Sequence, residues 1–242
     1  MDLHLVLRFR LIYPEPRERG FSKGLNMSDY TPEVEAAVNE LGGVNLPDNV
    51  TLLEVIGRGS RSIIFKAEYR GEKVALKVYR PETVSAYRKK HNVNIAVFEM
   101  SQNRKFRKVP ELLPFSAKPI MVLGHDGKQS VCFIQELIEG KPLTELANDL
   151  GRLPTSVLEA GELIARVGEQ AGLTSLDLDY RNVLVRQQSG RWLPVIHDFN
   201  EPIREQSSGK SFMGLFKKEV QPGFELAREW SRYSTKLQEQ EH

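Results

Sequence analysis

The sequence predicts an α+β protein: a first half built on a five-stranded antiparallel sheet with one helix inserted after its third strand, then a reduced, mainly helical second half. Three observations carry that expectation. Short β-rich runs separated by tight-turn residues crowd the stretch from Thr51 to Leu137. Beyond Gly140 apolar residues recur at helical spacing. The chain has 242 residues, 40% of them hydrophobic, enough for one large domain or two small lobes.

Composition excludes several classes of function. Charged residues make up 27% and nearly cancel to a formal +2, so no whole-molecule field draws nucleic acid or membrane. Cys132 is the only cysteine, which rules out an internal disulfide and a thiolate zinc cluster and suits a reducing compartment. The five histidines show no ligand-gathering spacing, and His197, beside Asp198 in sequence, reads as structural or solvated rather than metal-bound. No apolar run is long enough to span a bilayer and no signal-peptide core opens the chain, so a cytoplasmic location is expected.

Residues 1–46 read as an N-terminal extension. Leu3, Leu5, Leu7, Phe9, Leu11 and Tyr13 alternate with mostly polar neighbours, the period of a half-buried strand, before "PEPRERGFSKG" breaks the pattern. Translation starting at Met1 or at Met27 are both open, and no function attaches to this stretch. A capped short helix follows from Pro32 to Leu41, stopped by Gly42 and Gly43.

Residues 47–138 form the strand-rich unit. "TLLEVI", "SIIFKAEY" and "KVALKVY" make an antiparallel meander, with Arg70-Gly71-Glu72 as a tight turn and Pro81 closing it. One helix is expected from Val84 to Arg107, and "PIMVLG" and "SVCFIQEL" form a hairpin around His125-Asp126-Gly127-Lys128. Residues 139–242 form the second unit. A helix carries Leu143, Leu146, Ala147 and Leu150 to a stop at Gly151, and a longer one opens at Pro154 and ends at Gly172. A hairpin turns at Ser189-Gly190, Ser207 to Lys218 is a Ser/Gly/Lys-rich loop, and a last helix runs from Pro222 to about Glu239.

Inside the first strand pair lies "VIGRGSRSIIF". Two glycines interrupting a strand serve either as a phosphate cradle or as a plain hairpin turn. The order of the remaining pieces bears on that choice. A strand, the Gly57-Arg58-Gly59 turn, a returning strand, Val74-Ala75-Leu76-Lys77, a helix carrying Glu99, a hairpin, helices, Asp177-Leu178-Asp179-Tyr180-Arg181-Asn182 and finally Asp198-Phe199 follow one another. This succession, covering most of Val50 to Asn200, resembles the eukaryotic-type protein-kinase superfamily.

The resemblance implies a bilobal kinase-like fold that binds ATP and Mg2+. The glycine loop, with Gly57, Gly59, Ser60 and Ser62, would cover the phosphates, and Lys77 would pair with them and with Glu99. The backbone of the connecting segment, Glu136 and Ile138 within it, would meet adenine. Asn182 and Asp198 would hold the metal, Asp177 would orient the acceptor hydroxyl, and Arg181 would add positive charge beside the phosphates. Elementary chemistry makes the same demands. A triphosphate needs backbone N–H donors brought close and a fixed cation. A lysine on a buried strand needs a partner, and Glu99 is the only acidic residue between Glu82 and Glu111. Magnesium takes oxygen ligands, usually one or two protein groups with phosphate and water.

The departures from the family pattern are specific. Ser62 replaces the third loop glycine, Ser175-Leu176 stand where many kinases have His-Arg, Asp179 replaces a phosphate-contacting lysine, and Asn200 replaces the glycine after Asp198-Phe199. No Ala-Pro-Glu follows, so the chain looks like abbreviated members such as RIO-type kinases, lipopolysaccharide-core kinases and small bacterial kinase-like proteins. Two functions result. One is transfer of the γ-phosphate to a hydroxyl of a protein or saccharide; the other is a pseudokinase that binds nucleotide or a partner and regulates without transfer. The basic clusters Arg88 to His91 and Arg104 to Lys108 form either a solvated face or a contact for an anionic partner, and no specific nucleic-acid motif is present.

Overall fold

A computed structural model describes residues 30–124, 129–173, 182–200 and Trp230. Helix α1 (Pro32–Glu40) starts as its sequence dictates: the Thr31 hydroxyl accepts from Val34 N at 3.3 Å, Pro32 takes the first turn, and Glu33 and Glu35 face the positive end of the helix dipole. Gly42 and Gly43, at φ +73° and +97°, stop it. Val34, Ala37 and Val38 are buried at helical spacing and share one core with Val50, Leu52, Phe65 and Leu76 of the sheet. Residues 30–46 therefore pack as part of the strand-rich unit.

The sheet comprises β1 (Val50–Arg58), β2 (Ser62–Tyr69), β3 (Glu72–Tyr79), β4 (Pro119–Leu123) and β5 (Cys132–Glu136). All neighbours are antiparallel, in the order β1-β2-β3-β5-β4. The β2–β3 turn places Arg70 and Gly71 at φ 56° and 85°, the paired left-handed geometry that matches strand twist. Side chains on β3 alternate between two covered faces. Val74, Leu76 and Val78 join the α1 side, whereas Tyr79 packs with Phe133 of β5 and with Ile95, Ala96 and Met100 of the helix crossing the opposite face.

That helix is where expectation and structure part. Instead of one helix from Val84 to Arg107 there are two, α2 (Pro81–His91) and α3 (Ile95–Arg107). Asn92 ends α2 in the left-handed conformation at φ 54°, and Asn94 restarts the helix by accepting Ala96 N at 2.9 Å. Pro81 opens α2 at its first turn rather than merely closing β3.

A 3-10 turn at Pro110–Phe115 leads back to β4. The second unit contains β6 (Lys141–Pro142), α4 (Leu143–Leu150), α5 (Thr155–Gln170), β7 (Val183–Gln188) and β8 (Arg191–Ile196), with β6, β7 and β8 forming a small sheet in that order. Ser189 and Gly190 turn the β7–β8 hairpin at φ 51° and 76°. At Gly140 a Cβ would stand 2.3 Å from Val185 O, so the chain leaving β5 passes β7 where only glycine fits. The core here includes Phe106, Leu112, Leu143, Val157, Ile164 and Phe199, and Trp230 is fully buried in it.

The two sheets are tied together. Ala117 N donates to Ile196 O at 2.9 Å, and Gln135 Nε2 donates to His197 O at 3.1 Å. The strand expected at residues 3–13, the turn at 125–128, the loop at 207–218 and the last helix apart from Trp230 lie outside the described residues. No helix among the described residues is long and apolar enough to cross a membrane.

Candidate functional site

Lys77 sits in the middle of β3, and its pairing places it in a row running across the sheet. Gly57 faces Ile64, Ile64 faces Lys77, and Lys77 faces Phe133. Directly paired residues present their side chains to the same face. The glycine turn at the end of β1 therefore begins two strands, about 10 Å, from Lys77 on the side where Lys77 projects.

Glu99 reaches that side from α3, completely buried. Its carboxylate accepts Lys77 Nζ at 3.0 and 3.2 Å through its two oxygens, and accepts the Tyr79 hydroxyl as well. Phe199 N donates to it at 3.4 Å and Asn200 Nδ2 at 3.0 Å. Asp198, just past the end of β8, brings Oδ1 to 3.1 Å from Lys77 Nζ. The same Oδ1 accepts Asn200 N at 3.0 Å and Asn200 Nδ2 at 2.9 Å. Its partner oxygen, Oδ2, takes no hydrogen bond from the described residues, and 29% of the Asp198 side chain is exposed.

One ammonium thus stands between two carboxylates. Burial alone would raise the Asp198 pKa, but Lys77, the Asn200 backbone N–H and His197 outweigh it and hold the carboxyl at about 2. Burial opposes the charge on Lys77, yet Asp198 and Glu99 more than compensate and its pKa rises. For Glu99 burial is the largest influence and lifts the carboxyl above its ordinary value, with Lys77 pulling the other way and the Asp198 charge adding to the rise. Desolvation holds His197 at about 4, so its ring is neutral near pH 7. The trio carries a net negative charge next to an open carboxylate oxygen, an arrangement that suits a cation. Asn182 directly precedes β7, and Val183 pairs with Ile196, which puts Asn182 and Asp198 at the same end of the hairpin. These two are the groups that could hold magnesium.

The glycine turn is closed by Gly59 N donating to Ser62 O at 2.9 Å, with Ser62 buried and Gly59 and Ser60 exposed. Neither Gly57 nor Gly59 has a positive φ. A Cβ at Gly57 would meet Ile64 Cδ1 at 3.4 Å, and one at Gly59 would meet Ser62 O at 3.5 Å. Among the described residues nothing obliges either position to be glycine, so the bare backbone leaves room above the turn.

Glu136 has a structural task beyond its place at the end of β5. Its N–H donates to Lys118 O at 2.8 Å, its carboxylate accepts Lys118 N at 3.0 Å, and Arg186 of β7 pairs with it at 2.9 Å. Its N–H is therefore already engaged, while Ile138 lies half-buried in the extended connector to β6. Asp177 and Arg181, and with them Ser175 and Asp179, lie outside the described residues.

Two contributors went unrecognised in the sequence. Tyr79 stands two residues after Lys77 on the same strand face, a relation that the two-residue period of a strand discloses. Asn200 was visible only as the residue replacing a glycine, whereas its amide bridges both carboxylates. No protein-family model matches the chain, and no curated protein sequence matches it.

Proposed function

We propose that this chain is a compact protein-kinase-like phosphotransferase that binds Mg-ATP and transfers the γ-phosphate to a hydroxyl of a protein or saccharide acceptor. The observation carrying this reading is the position of Lys77 Nζ, within 3.1 Å of both Glu99 and Asp198. Glu99 holds the ammonium in place, and Lys77 would meet phosphate oxygens by exchanging its contact with Asp198 for them. The glycine turn begins on the same face with its backbone uncovered, as a close approach by phosphates requires.

Asp198 and Asn182 would hold the cation, which would neutralise charge on the transferring phosphoryl group when bound. Asp198 is kept ionised by its neighbours and offers Oδ2, while Lys77 and Asn200 engage Oδ1. By the family resemblance, Asp177 would orient the acceptor hydroxyl. A second reading, nucleotide or partner binding without transfer, is favoured by Asn200, whose side chain binds Asp198 to Glu99 where the family has glycine.

Thermal melting with Mg-ATP tests the binding step. Saturation at about 100 times the dissociation constant stabilises by about 2.7 kcal/mol, which for a chain of this size raises Tm by roughly 5–10 °C. An unchanged Tm in the unaltered protein rules out both nucleotide readings. Labelled ATP with cell extract or core saccharide then tests transfer. Asp177→Asn should abolish the transfer and leave the melting shift intact; binding with no transfer to any acceptor selects the regulator.

A further inference from the structure

Helix α1 carries none of the residues assigned above, yet its last residue reaches the glycine turn. Glu40 Oε2 lies 2.5 Å from Arg58 Nη1, and Arg58 is the residue between the two glycines. The other oxygen, Oε1, pairs with Arg80 Nη2. Arg80 in turn donates through Nε and Nη2 to Gly59 O, at 3.3 Å each, and its backbone N donates to Arg61 O at 2.9 Å. One carboxylate on α1 thus holds a guanidinium from within the turn and a second guanidinium that grips the turn's carbonyl.

We propose that Glu40 is a positioning residue for the glycine turn: through Arg58 and Arg80 it fixes the turn in the shape that receives phosphates. The inference rests on the nucleotide reading above. A two-glycine turn has unusual backbone freedom, and ordering it on binding costs entropy. A planar guanidinium anchored on a carboxylate presents its remaining donors in a fixed direction, so the turn is ordered before the ligand arrives. The Arg80 side chain is 17% exposed and Glu40 38%, so the link lies at the surface, and what distinguishes it is that one carboxylate engages two guanidiniums that both belong to or grip the turn. Helix α1 is itself seated in the sheet core by Val34, Ala37 and Val38, so Glu40 acts from a rigid support.

The test compares the unaltered chain with Glu40→Ala, Arg80→Ala and the double variant. Amide hydrogen exchange over residues 57–62 is measured without nucleotide, and Mg-ATP affinity is taken from the concentration dependence of the melting shift. Glu40→Ala should speed exchange in the turn and weaken Mg-ATP binding, each by about three- to fivefold, while exchange in α5 stays unchanged. Because the two residues share one link while Glu40 also holds Arg58, the double variant should be worse than Arg80→Ala but fall short of the sum of the two single effects. If the unaltered chain binds Mg-ATP and Glu40→Ala matches it in either exchange or affinity, the positioning role is wrong and the nucleotide reading stands. If the unaltered chain does not bind Mg-ATP, that reading falls and this role falls with it.

Discussion

Lys77 Nζ and Asp198 Oδ1 lie 3.1 Å apart, although one belongs to the third strand of the first sheet and the other follows the last strand of the second. Their contact joins the two sheets at a charged point, and Glu99 shares it from α3.

Replacing Lys77 by methionine keeps most of its unbranched length and removes its charge. The buried Glu99 and the partly exposed Asp198 then lose their common counter-ion, a change that costs about 3 kcal/mol. Tm should fall by roughly 10 °C, and the Mg-ATP melting shift should vanish. Calorimetry with and without Mg-ATP checks both, and a retained shift would remove Lys77 from the phosphate site.

Acid should act in two separate windows. His197 is neutral in the fold with its pKa lowered from 6.5 to about 4, so the unfolded chain takes up the proton first and stability falls as pH drops from roughly 6.5 to 4. Asp198 is lowered from 3.8 to about 2; its contribution, about 2 kcal/mol, is complete well above 3.8 and is lost as pH falls through about 2. Glu99, raised by burial, works in the opposite sense. Urea unfolding against pH should show the upper window flattened by His197→Gln and the lower one by Asp198→Asn.

Placing glycine at position 200 should harm this protein. Asn200→Gly deletes the side-chain hydrogen bonds to Glu99 and Asp198, at 3.0 and 2.9 Å. Hydrogen bonds to charged groups are worth about 1.5–3 kcal/mol, so a loss of about 3 kcal/mol is expected in denaturant titrations. Asn200→Asp should be worse, because it sets a third carboxylate against two others.

Gly59→Ala separates a phosphate cradle from a plain turn. The nearest atom to an added Cβ is 3.5 Å away and φ is not positive, so the fold accepts alanine. Stability should stay level or rise by up to about 1 kcal/mol. Mg-ATP affinity should nevertheless drop, because the methyl occupies the space above the backbone. Equal affinity in both proteins would leave the turn with no part in binding.

Much of this was legible in the chain itself. β2 and β3 follow from alternating apolar residues and the Arg70-Gly71 turn, both short-range signals. Glu99 was identifiable because no other acid lies near it in sequence. The break between α2 and α3 depends on Asn92 and Asn94 each adopting a capping conformation, a local choice hidden within one polar stretch. Asn200 binds a carboxylate 101 residues away, and no periodic pattern records such a meeting. Glu40 is likewise joined to Arg80 across 40 residues, so the role of α1 emerges only from the folded chain.

The hydrogen bond from Ala117 N to Ile196 O is made entirely by main chain, two residues before Asp198. Exchange of the charged groups at 77, 99 or 198 leaves that stitch uncut. The alignment of the two sheets therefore has a support that does not depend on side-chain charge, so variants at these positions that still fold should present the same backbone outline to whatever docks against it.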